Sequence, residues 1–88
     1  MYRVFHGKRF NKQFAKLPLQ IQESYIERNR IFMQYPRHSL LNDHALAGEW
    51  GGHRSINITG DFRALYREVA MDTFEFVAIG THHELFGT

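Results

Sequence analysis

The sequence contains no cysteine and only two prolines, and no part of it approaches the ~20 consecutive apolar residues that a membrane span requires. The missing thiols exclude disulfides, thiolate nucleophiles and cysteine-ligated zinc or iron–sulfur sites. The first ten residues also lack the apolar run of a secretory signal peptide. With no internal repeat and no linker-like segment, the 88 residues predict a single domain over 1–88. We expect it to be cytoplasmic and not to contact a membrane.

The modest net charge of +2 conceals an uneven distribution along the chain. Residues 1–42 carry eight basic side chains against two acidic ones, a formal charge of +6. Residues 43–88 carry three basic side chains against seven acidic ones, a formal charge of −4. A basic half is typical of a surface that binds a polyanion, but a solvated helix face has the same composition, so charge alone leaves both interpretations open.

The first half of the chain has the pattern of a short strand followed by two helices. Residues 2–5 form a β-type run that ends at Gly7, and the apolar residues of 10–17 then recur at spacings of four and three. Pro18 disfavours a helical conformation at the residue before it, so we expect the first helix to end there. A second apolar stripe over 21–35 ends at Pro36 and predicts a second helix, packed on the first as a hairpin.

The second half changes to strand patterns. Residues 40–52 have no sustained period and three glycines, which predicts a long shaped loop. Three strands are expected after it, at 54–58, 62–69 and 74–79, with tight turns at 59–61 and 71–73, and 82–86 is long enough for one turn of helix. The order β-α-α-β-β-β predicts an α+β fold with the helix hairpin on one face of a mostly antiparallel sheet. The first strand is expected at an edge, and the opposite face is left for a site.

Histidines are frequent in this chain, and four of the six fall at loop or strand-end positions of the second half: His44, His53, His82 and His83. Histidine is the side chain whose ordinary pKa allows it to give or take a proton near neutral pH. Their spacing matches no HxH, HxxxH or HExxH pattern, which argues against zinc. His6 and His38 are interpreted as surface residues, because an isolated histidine is more often that than a catalyst.

Such histidines suit the cleavage of RNA by internal transfer, which needs a base for the 2′-hydroxyl and an acid for the leaving 5′-oxygen. It also needs a cation for the charge that builds up on phosphorus. Asp61, Arg63 and Arg54 are candidates for an orienting carboxylate and for cations. The alternative for Asp61 is ordinary turn chemistry, and Trp50 is interpreted as a core or loop anchor. No metal and no cofactor is expected.

Three segments of this half resemble one family. The run 43–54, DHALAGEWGGHR, resembles the DHxLxGxWxGxR block of the RelE/ParE toxin superfamily and is most similar to its YafQ-like branch. The run 61–66, DFRALY, matches the DxRxxY strand found across that superfamily. The run 80–87, GTHHELFG, is similar to the GTHxxLFG ending of YafQ-type toxins. Three blocks in one order are far more specific than any one of them.

The resemblance implies a RelE-like fold and a metal-independent, ribosome-dependent endoribonuclease that belongs to a type II toxin–antitoxin pair and cuts mRNA in the ribosomal A site. It further implies a cognate antitoxin as partner, with operator DNA contacted only through that antitoxin. Residues matching the family's functional positions are His44, Asp61 and His82, with Arg63 at the arginine of the wider pattern and Phe86 as a packing or stacking group.

The chain departs from the YafQ-like pattern at two positions. Asn57 stands where the pattern has another histidine, and Ala78 stands where it has an arginine. We expect Arg63 to supply the missing charge and His53 to stand in as a proton donor. Together with the candidates named above, the expected substrate contacts are Phe86, Arg54, Asn57 and His53.

Two other functions remain open from the sequence. One is a ParE-type inhibitor of DNA gyrase that leaves RNA intact, and the other is a catalytically weak homologue that acts mainly by binding its antitoxin. If the protein is the ribosome-dependent toxin that the resemblance implies, contact with ribosomal RNA is expected from the basic residues of the first helix: Lys8, Arg9, Lys12 and Lys16.

Overall fold

The computed structural model describes residues 1–87. Its elements, in chain order, are β1 (Arg3–His6), α1 (Lys8–Ala15), α2 (Leu19–Gln34), β2 (His44–Ala45), β3 (Arg54–Thr59), β4 (Phe62–Ala70), β5 (Thr73–Thr81) and α3 (His82–Phe86). The predicted α+β class and the predicted succession of strand, helix hairpin and three-strand meander are confirmed.

The strands form one five-stranded sheet in the order β1-β5-β4-β3-β2. Strand β1 lies at an edge, as expected, and pairs in parallel with β5. The other three pairings are antiparallel. The parallel pairing follows from the chain path, because the helix hairpin lies between β1 and the meander and lets β1 run in the same direction as β5.

Proline and glycine separate the first elements as the sequence indicated. Pro18 directly precedes α2 and has a φ of −56°, which is compatible with a helix start and needs no N–H at that position. Before it, the N–H groups of Lys16 and Leu17 bond to carbonyls three residues back, so α1 ends in a tighter turn. Gly7 lies between β1 and α1, where an added Cβ would stand only 2.9 Å from the carboxylate of Glu75.

The two turns of the meander also agree with the prediction. Gly60, between β3 and β4, has a φ of +50°, a conformation that glycine adopts without steric cost. Asp72, between β4 and β5, has a φ of +53°, which aspartate tolerates better than most residues. Among residues 1–87, no helix is long and apolar enough to cross a membrane.

The helix-facing side of the sheet holds the main core, which is largely aromatic. The ring of Phe32 in α2 lies 4.8 Å from that of Tyr66, 5.2 Å from that of Phe74 and 5.3 Å from that of Phe76, centroid to centroid. Tilted and edge-on contacts of this kind add about 0.5–1.5 kcal/mol per pair to the free energy of burial. Ile56 and Ile58 of β3 and Ala64 and Tyr66 of β4 face this core, two residues apart as strand alternation requires.

The opposite side of the sheet carries a much smaller core. Leu65, Ala78 and Leu85 form it, with Trp50 packed against them. Leu85 comes from α3, a helix of five residues, so the cover it provides is short. The rest of this face stays open, as the sequence predicted for the face away from the helices.

The segment 40–52 is more ordered than the predicted loop. It contains the two-residue strand β2, which extends the sheet beyond β3, and two short 3₁₀ turns at Ser39–Leu41 and Gly48–Trp50. A strand of two residues is too short to show a period, and its hydrogen bonds depend on β3. The sequence pattern therefore carried no signal for it.

Candidate active site

A cleft of about 330 Å³ opens on the face away from the helix hairpin. Strands β2, β3 and β4 and helix α3 supply its walls, so it gathers residues from all three sequence blocks. The lining residues are Asn42, His44, Leu46, Ser55, Asn57, Arg63, His82 and Phe86.

The imidazole of His44 stands at one side of the cleft. His44 lies in β2, directly opposite Ser55 of β3, and its side chain is exposed. Its Nδ1 lies 2.9 Å from the carbonyl oxygen of Asn42. A carbonyl only accepts, so Nδ1 is the donor in this contact, and in the neutral ring Nε2 then presents a lone pair. That tautomer is the one a general base needs.

His82 stands at the other side, at the start of α3. Thr81 caps this helix with a capping box, in which the Thr81 hydroxyl accepts from the Glu84 N–H and the Glu84 carboxylate accepts from the Thr81 N–H. These hydrogen bonds lower the pKa of the Glu84 carboxyl. The ring of His82 lies 4.8 Å from that of Phe86, one helical turn later. The T-x-x-E pattern at 81–84 was a usable signal for this helix start.

Arg63 provides the positive charge of the cleft. It lies in β4 directly opposite Asn57 of β3. Its Nη1 donates to the carbonyl oxygens of Gly60, at 2.9 Å, and Phe62, at 3.1 Å. A guanidinium has five N–H donors, so these two contacts hold its orientation and leave donors for an anion.

Asp61 is close to the site but does not line it. Its side chain is exposed in the β3–β4 turn, and its backbone carbonyl accepts the N–H of His82 at 3.0 Å. The contact of Asp61 with the site therefore runs through the main chain, which ties the start of α3 to the turn.

The structure does not bring Arg54 or His53 into the cleft. Arg54 is next to Ser55 in β3, so alternation sends its side chain to the helix-facing side of the sheet. His53 directly precedes β3 and packs edge-on against Trp50, with ring centroids 5.2 Å apart. Neither residue is placed to contact a substrate held between His44 and His82.

Arg54 instead belongs to a buried polar cluster that joins two of the sequence blocks. Its Nε donates to the carboxylate of Asp43 at 2.5 Å, and the Tyr66 hydroxyl donates to the same carboxylate. The Asp43 side chain is only 2% exposed. Burial and the bond to Asp43 raise the pKa of Tyr66 above its ordinary range. Burial by itself lowers the pKa of Arg54, but the Asp43 carboxylate outweighs it and raises that pKa.

This cluster explains part of the motif pattern. The aspartate of the DH block, the arginine that ends it and the tyrosine of DxRxxY hold one another on the helix-facing side. The next residue, His44, then points to the cleft side. Asp43 is thus a structural residue of the site that sequence reasoning did not single out, although its place in the block was visible.

A family model for a bacterial toxin of the type II toxin–antitoxin system, YafQ, matches residues 2–87. The chain belongs to the YafQ family. A Haemophilus influenzae protein that carries the name of the YafQ toxin is 43% identical over 47 residues, 43% of this chain. The match spans 46% of that relative, less than half of its length.

Solved structures of the family have the same fold. The chain superposes on E. coli YafQ with a TM-score of 0.72 at 21% identity, over 99% of this chain and 100% of that one. It matches a chain of the E. coli DinJ–YafQ complex with a TM-score of 0.70 at 22% identity, over 99% and 100%. The RelE-like fold expected from the three blocks is confirmed.

The two departures from the YafQ pattern have different structural settings. Asn57 lies in the cleft, at a β-bulge between β3 and β4, so it replaces the pattern's histidine within the site. Ala78 is fully buried beneath Leu85 and does not line the cleft. The cationic group that lines the cleft is therefore Arg63, among the described residues.

Phe86 and Trp50 both pack against the small core beside α3. Phe86 is half-buried and forms part of the cleft wall. The Trp50 indole N–H donates to the carbonyl of Leu85 at 3.3 Å, which anchors the 48–50 turn to α3. The prediction that Trp50 is an anchor agrees with this position.

The basic residues of the first helix lie outside the cleft. Lys8, Arg9, Lys12 and Lys16 are all exposed along α1 and its C-cap. The guanidinium of Arg9 lies over the Trp50 ring, 5.6 Å from its centroid, so this basic surface adjoins the turn that braces α3. Across residues 1–87, no three His, Asp or Glu side chains come together as a metal-binding group.

Proposed function

We propose that this YafQ-family toxin is an endoribonuclease that cuts mRNA in the ribosomal A site by metal-free transfer to the 2′-hydroxyl. The observation that carries the proposal is the cleft itself. It places two imidazoles and one guanidinium, from three separate sequence blocks, around a space large enough for a nucleotide. Those groups are the base, acid and cation that the reaction requires.

The geometry favours His44 as the base and His82 as the acid. With Nδ1–H bonded to the Asn42 carbonyl, His44 offers Nε2 to the 2′-hydroxyl proton. The 2′-oxygen then bonds to phosphorus, and the bond from phosphorus to the 5′-oxygen breaks. His82 gives its proton to that oxygen, which leaves a 2′,3′-cyclic phosphate and a 5′-hydroxyl. Arg63 stabilises the charge on the phosphorane.

Two further residues, Asp61 and Phe86, position the His82 side chain. Asp61 holds the start of α3 through its carbonyl, so we assign it to the positioning of His82. Phe86 packs on the His82 ring and limits its rotation, and its exposed part offers a surface on which a base can stack.

The test is cleavage of mRNA on programmed ribosomes, with products mapped at their ends. His82→Ala should lower the cleavage rate by about 10²–10⁴-fold and leave the melting temperature unchanged, because the side chain is exposed. The matched control is His83→Ala, an exposed histidine one residue along α3 that does not line the cleft. Intact mRNA with the parent protein, accompanied by inhibition of gyrase, would replace this function with the ParE-type one.

A cognate antitoxin and the ribosome are the proposed partners, and operator DNA is contacted only through the antitoxin. The DinJ–YafQ complex supports the first partner. The exposed Lys8, Arg9, Lys12 and Lys16 surface supports the second, because contacts of Lys and Arg with phosphates add affinity without sequence selectivity. We place the protein in the cytoplasm, where both partners occur.

Ribosome binding at several salt concentrations tests the basic surface. Each lost phosphate contact should lower the slope of log affinity against log salt by about 0.7–0.9. Lys12→Ala should therefore weaken binding and flatten its salt dependence. Arg30→Ala, which removes an exposed arginine of α2 paired with Glu27, is the control. Equal slopes for the parent and Lys12→Ala exclude Lys12 from the contact.

A further inference from the structure

Two side chains on the floor of the cleft have polar atoms without a partner. Ser55 and Asn57 are two residues apart on β3 and both line the cleft. Ser55 is 1% exposed. Within residues 1–87, the Ser55 Oγ and the Asn57 Oδ1 are buried and make no hydrogen bond. A polar group buried in this state lowers the free energy of unfolding, so an apolar side chain there would give a more stable fold.

The sheet register sets these atoms beside the groups assigned to the reaction. Ser55 faces His44 on one neighbouring strand, and Asn57 faces Arg63 on the other. Directly opposed side chains in a sheet have Cβ atoms about 4.5–5.5 Å apart. Along β3, residues two apart are separated by about 6.5 Å. A substrate that reaches both His44 and Arg63 therefore lies over Ser55 and Asn57.

We propose that Ser55 and Asn57 are positioning residues that hydrogen-bond the nucleotide carrying the attacking 2′-hydroxyl, through its ribose and its base. This inference rests on the proposed ribonuclease function. The Ser55 hydroxyl can donate as well as accept, and the Asn57 amide can do both, so the pair can match polar groups on either part of a nucleoside. Both residues line the cleft, so their side chains border the space that the nucleotide would occupy.

Substitution of Ser55 separates this role from a structural one. In Ser55→Ala the unpartnered hydroxyl is gone, so the melting temperature should stay the same or rise. The kcat/KM for cleavage of ribosome-bound mRNA should fall by about tenfold, because the nucleotide loses a hydrogen bond. If the Ser55 hydroxyl only stabilised the fold, Ser55→Ala would have a lower melting temperature. Its cleavage of mRNA would then change only in proportion to the fraction of protein that is folded.

Asn57→Ala is the second variant, and we expect a loss of kcat/KM of similar size. Asn29 offers a matched control, because its Oδ1 is also buried without a partner but lies in α2, at a separate cavity beside His6 and Phe10. Asn29→Ala should leave kcat/KM unchanged. If Ser55→Ala and Asn57→Ala cut as efficiently as the parent, the assignment is overturned.

A binding measurement keeps this inference distinct from the proposed function. A single-stranded RNA of eight nucleotides is titrated into ¹⁵N-labelled protein at a temperature where no cleavage occurs. The side-chain amide resonances of Asn57 should shift, and Ser55→Ala should weaken the affinity several-fold. If the parent binds this RNA through Asn57 yet leaves ribosomal mRNA intact, the ribonuclease proposal fails alone. If the Asn57 amide does not respond, the positioning role fails, whatever the cleavage assay shows.

Discussion

The two faces of the sheet differ in what their side chains do. The face toward α1 and α2 is filled with aromatic rings, and its members are almost all fully buried. The face toward α3 has a three-residue core and leaves polar atoms of Ser55 and Asn57 unpartnered beneath an open cleft. Both faces come from the same strands, so alternation alone separates them. One face of the fold is thus filled by a packed core, and the other keeps an open cleft with unpartnered polar atoms beneath it.

The largest effect is expected from removing an aromatic ring on the face that packs against α1 and α2. Phe32 is completely buried and contacts Tyr66, Phe74 and Phe76. Phe32→Ala should lower the free energy of unfolding by about 3–5 kcal/mol, through lost burial and the cavity left behind. Urea denaturation measures this. The matched change on the other face, Phe86→Ala, should cost much less stability and act on cleavage instead. Equal destabilisation by the two changes would contradict the contrast between faces.

The next effect concerns the cluster of Asp43, Arg54 and Tyr66 on the helix-facing side of the sheet. Asp43→Ala leaves the Arg54 guanidinium and the Tyr66 hydroxyl without their shared acceptor. We expect a loss of about 2–3 kcal/mol, less than for a fully buried pair because Arg54 is 29% exposed. Cleavage should also fall, since His44 follows Asp43 directly.

A surface ion pair is the control for that experiment. Arg30 and Glu27 form one in α2, with both side chains more than half exposed. Glu27→Ala should change stability by less than about 0.5 kcal/mol. If Asp43→Ala were as mild, the contacts of Asp43 with Arg54 and Tyr66 would not stabilise the fold.

A smaller effect is expected where Trp50 braces α3. Trp50→Phe keeps an aromatic ring but removes the N–H that donates to the Leu85 carbonyl. The expected cost is about 1 kcal/mol, together with reduced cleavage because α3 carries His82. Thermal unfolding and the cleavage assay measure the two parts. Unchanged values in both would show that the bracing contact has no role.

The smallest effect is a dependence of stability on pH from the aromatic face. The His6 Nε2 lies 2.8 Å from the Tyr25 hydroxyl, and burial lowers the pKa of His6 below its ordinary value of 6.5. The unfolded chain then takes up a proton before the folded one, so stability should fall as the pH drops below 6.5. In His6→Gln this part of the pH dependence should disappear. Denaturation curves at pH 7.5 and pH 5 test it, and an unchanged difference between the two pH values would rule it out.

Much of the fold was predictable because its signals are local. The helix stripes, Pro18 and the glycine turn at Gly60 each depend on a few neighbouring residues, and all appear where expected. Strand β2 was missed because its two residues pair only with a distant strand. In the site, His44, His82, Arg63, Asn57 and Phe86 were named from the sequence and do share one cleft. Their catalytic roles stay a prediction.

Arg54 and His53 show where sequence reasoning reached its limit. His53 directly precedes β3 and Arg54 begins it, and nothing in their spacing distinguishes them from Ser55 and Asn57. Alternation along β3 turns Arg54 away from the cleft, and His53 packs on Trp50 instead of lining the cleft.

The sequence by itself determined the order of the longer helices and strands, the three motif blocks and the family, since these rest on residue types and on short spacings along the chain. Only the tertiary structure decided that Arg54 and Tyr66 hydrogen-bond Asp43 on the helix-facing side, while the Ser55 hydroxyl stays unpartnered under the cleft. The reason is physical. A hydrogen bond depends on distance and direction between atoms far apart in sequence, and those are set only when the strands pair and their faces become distinct.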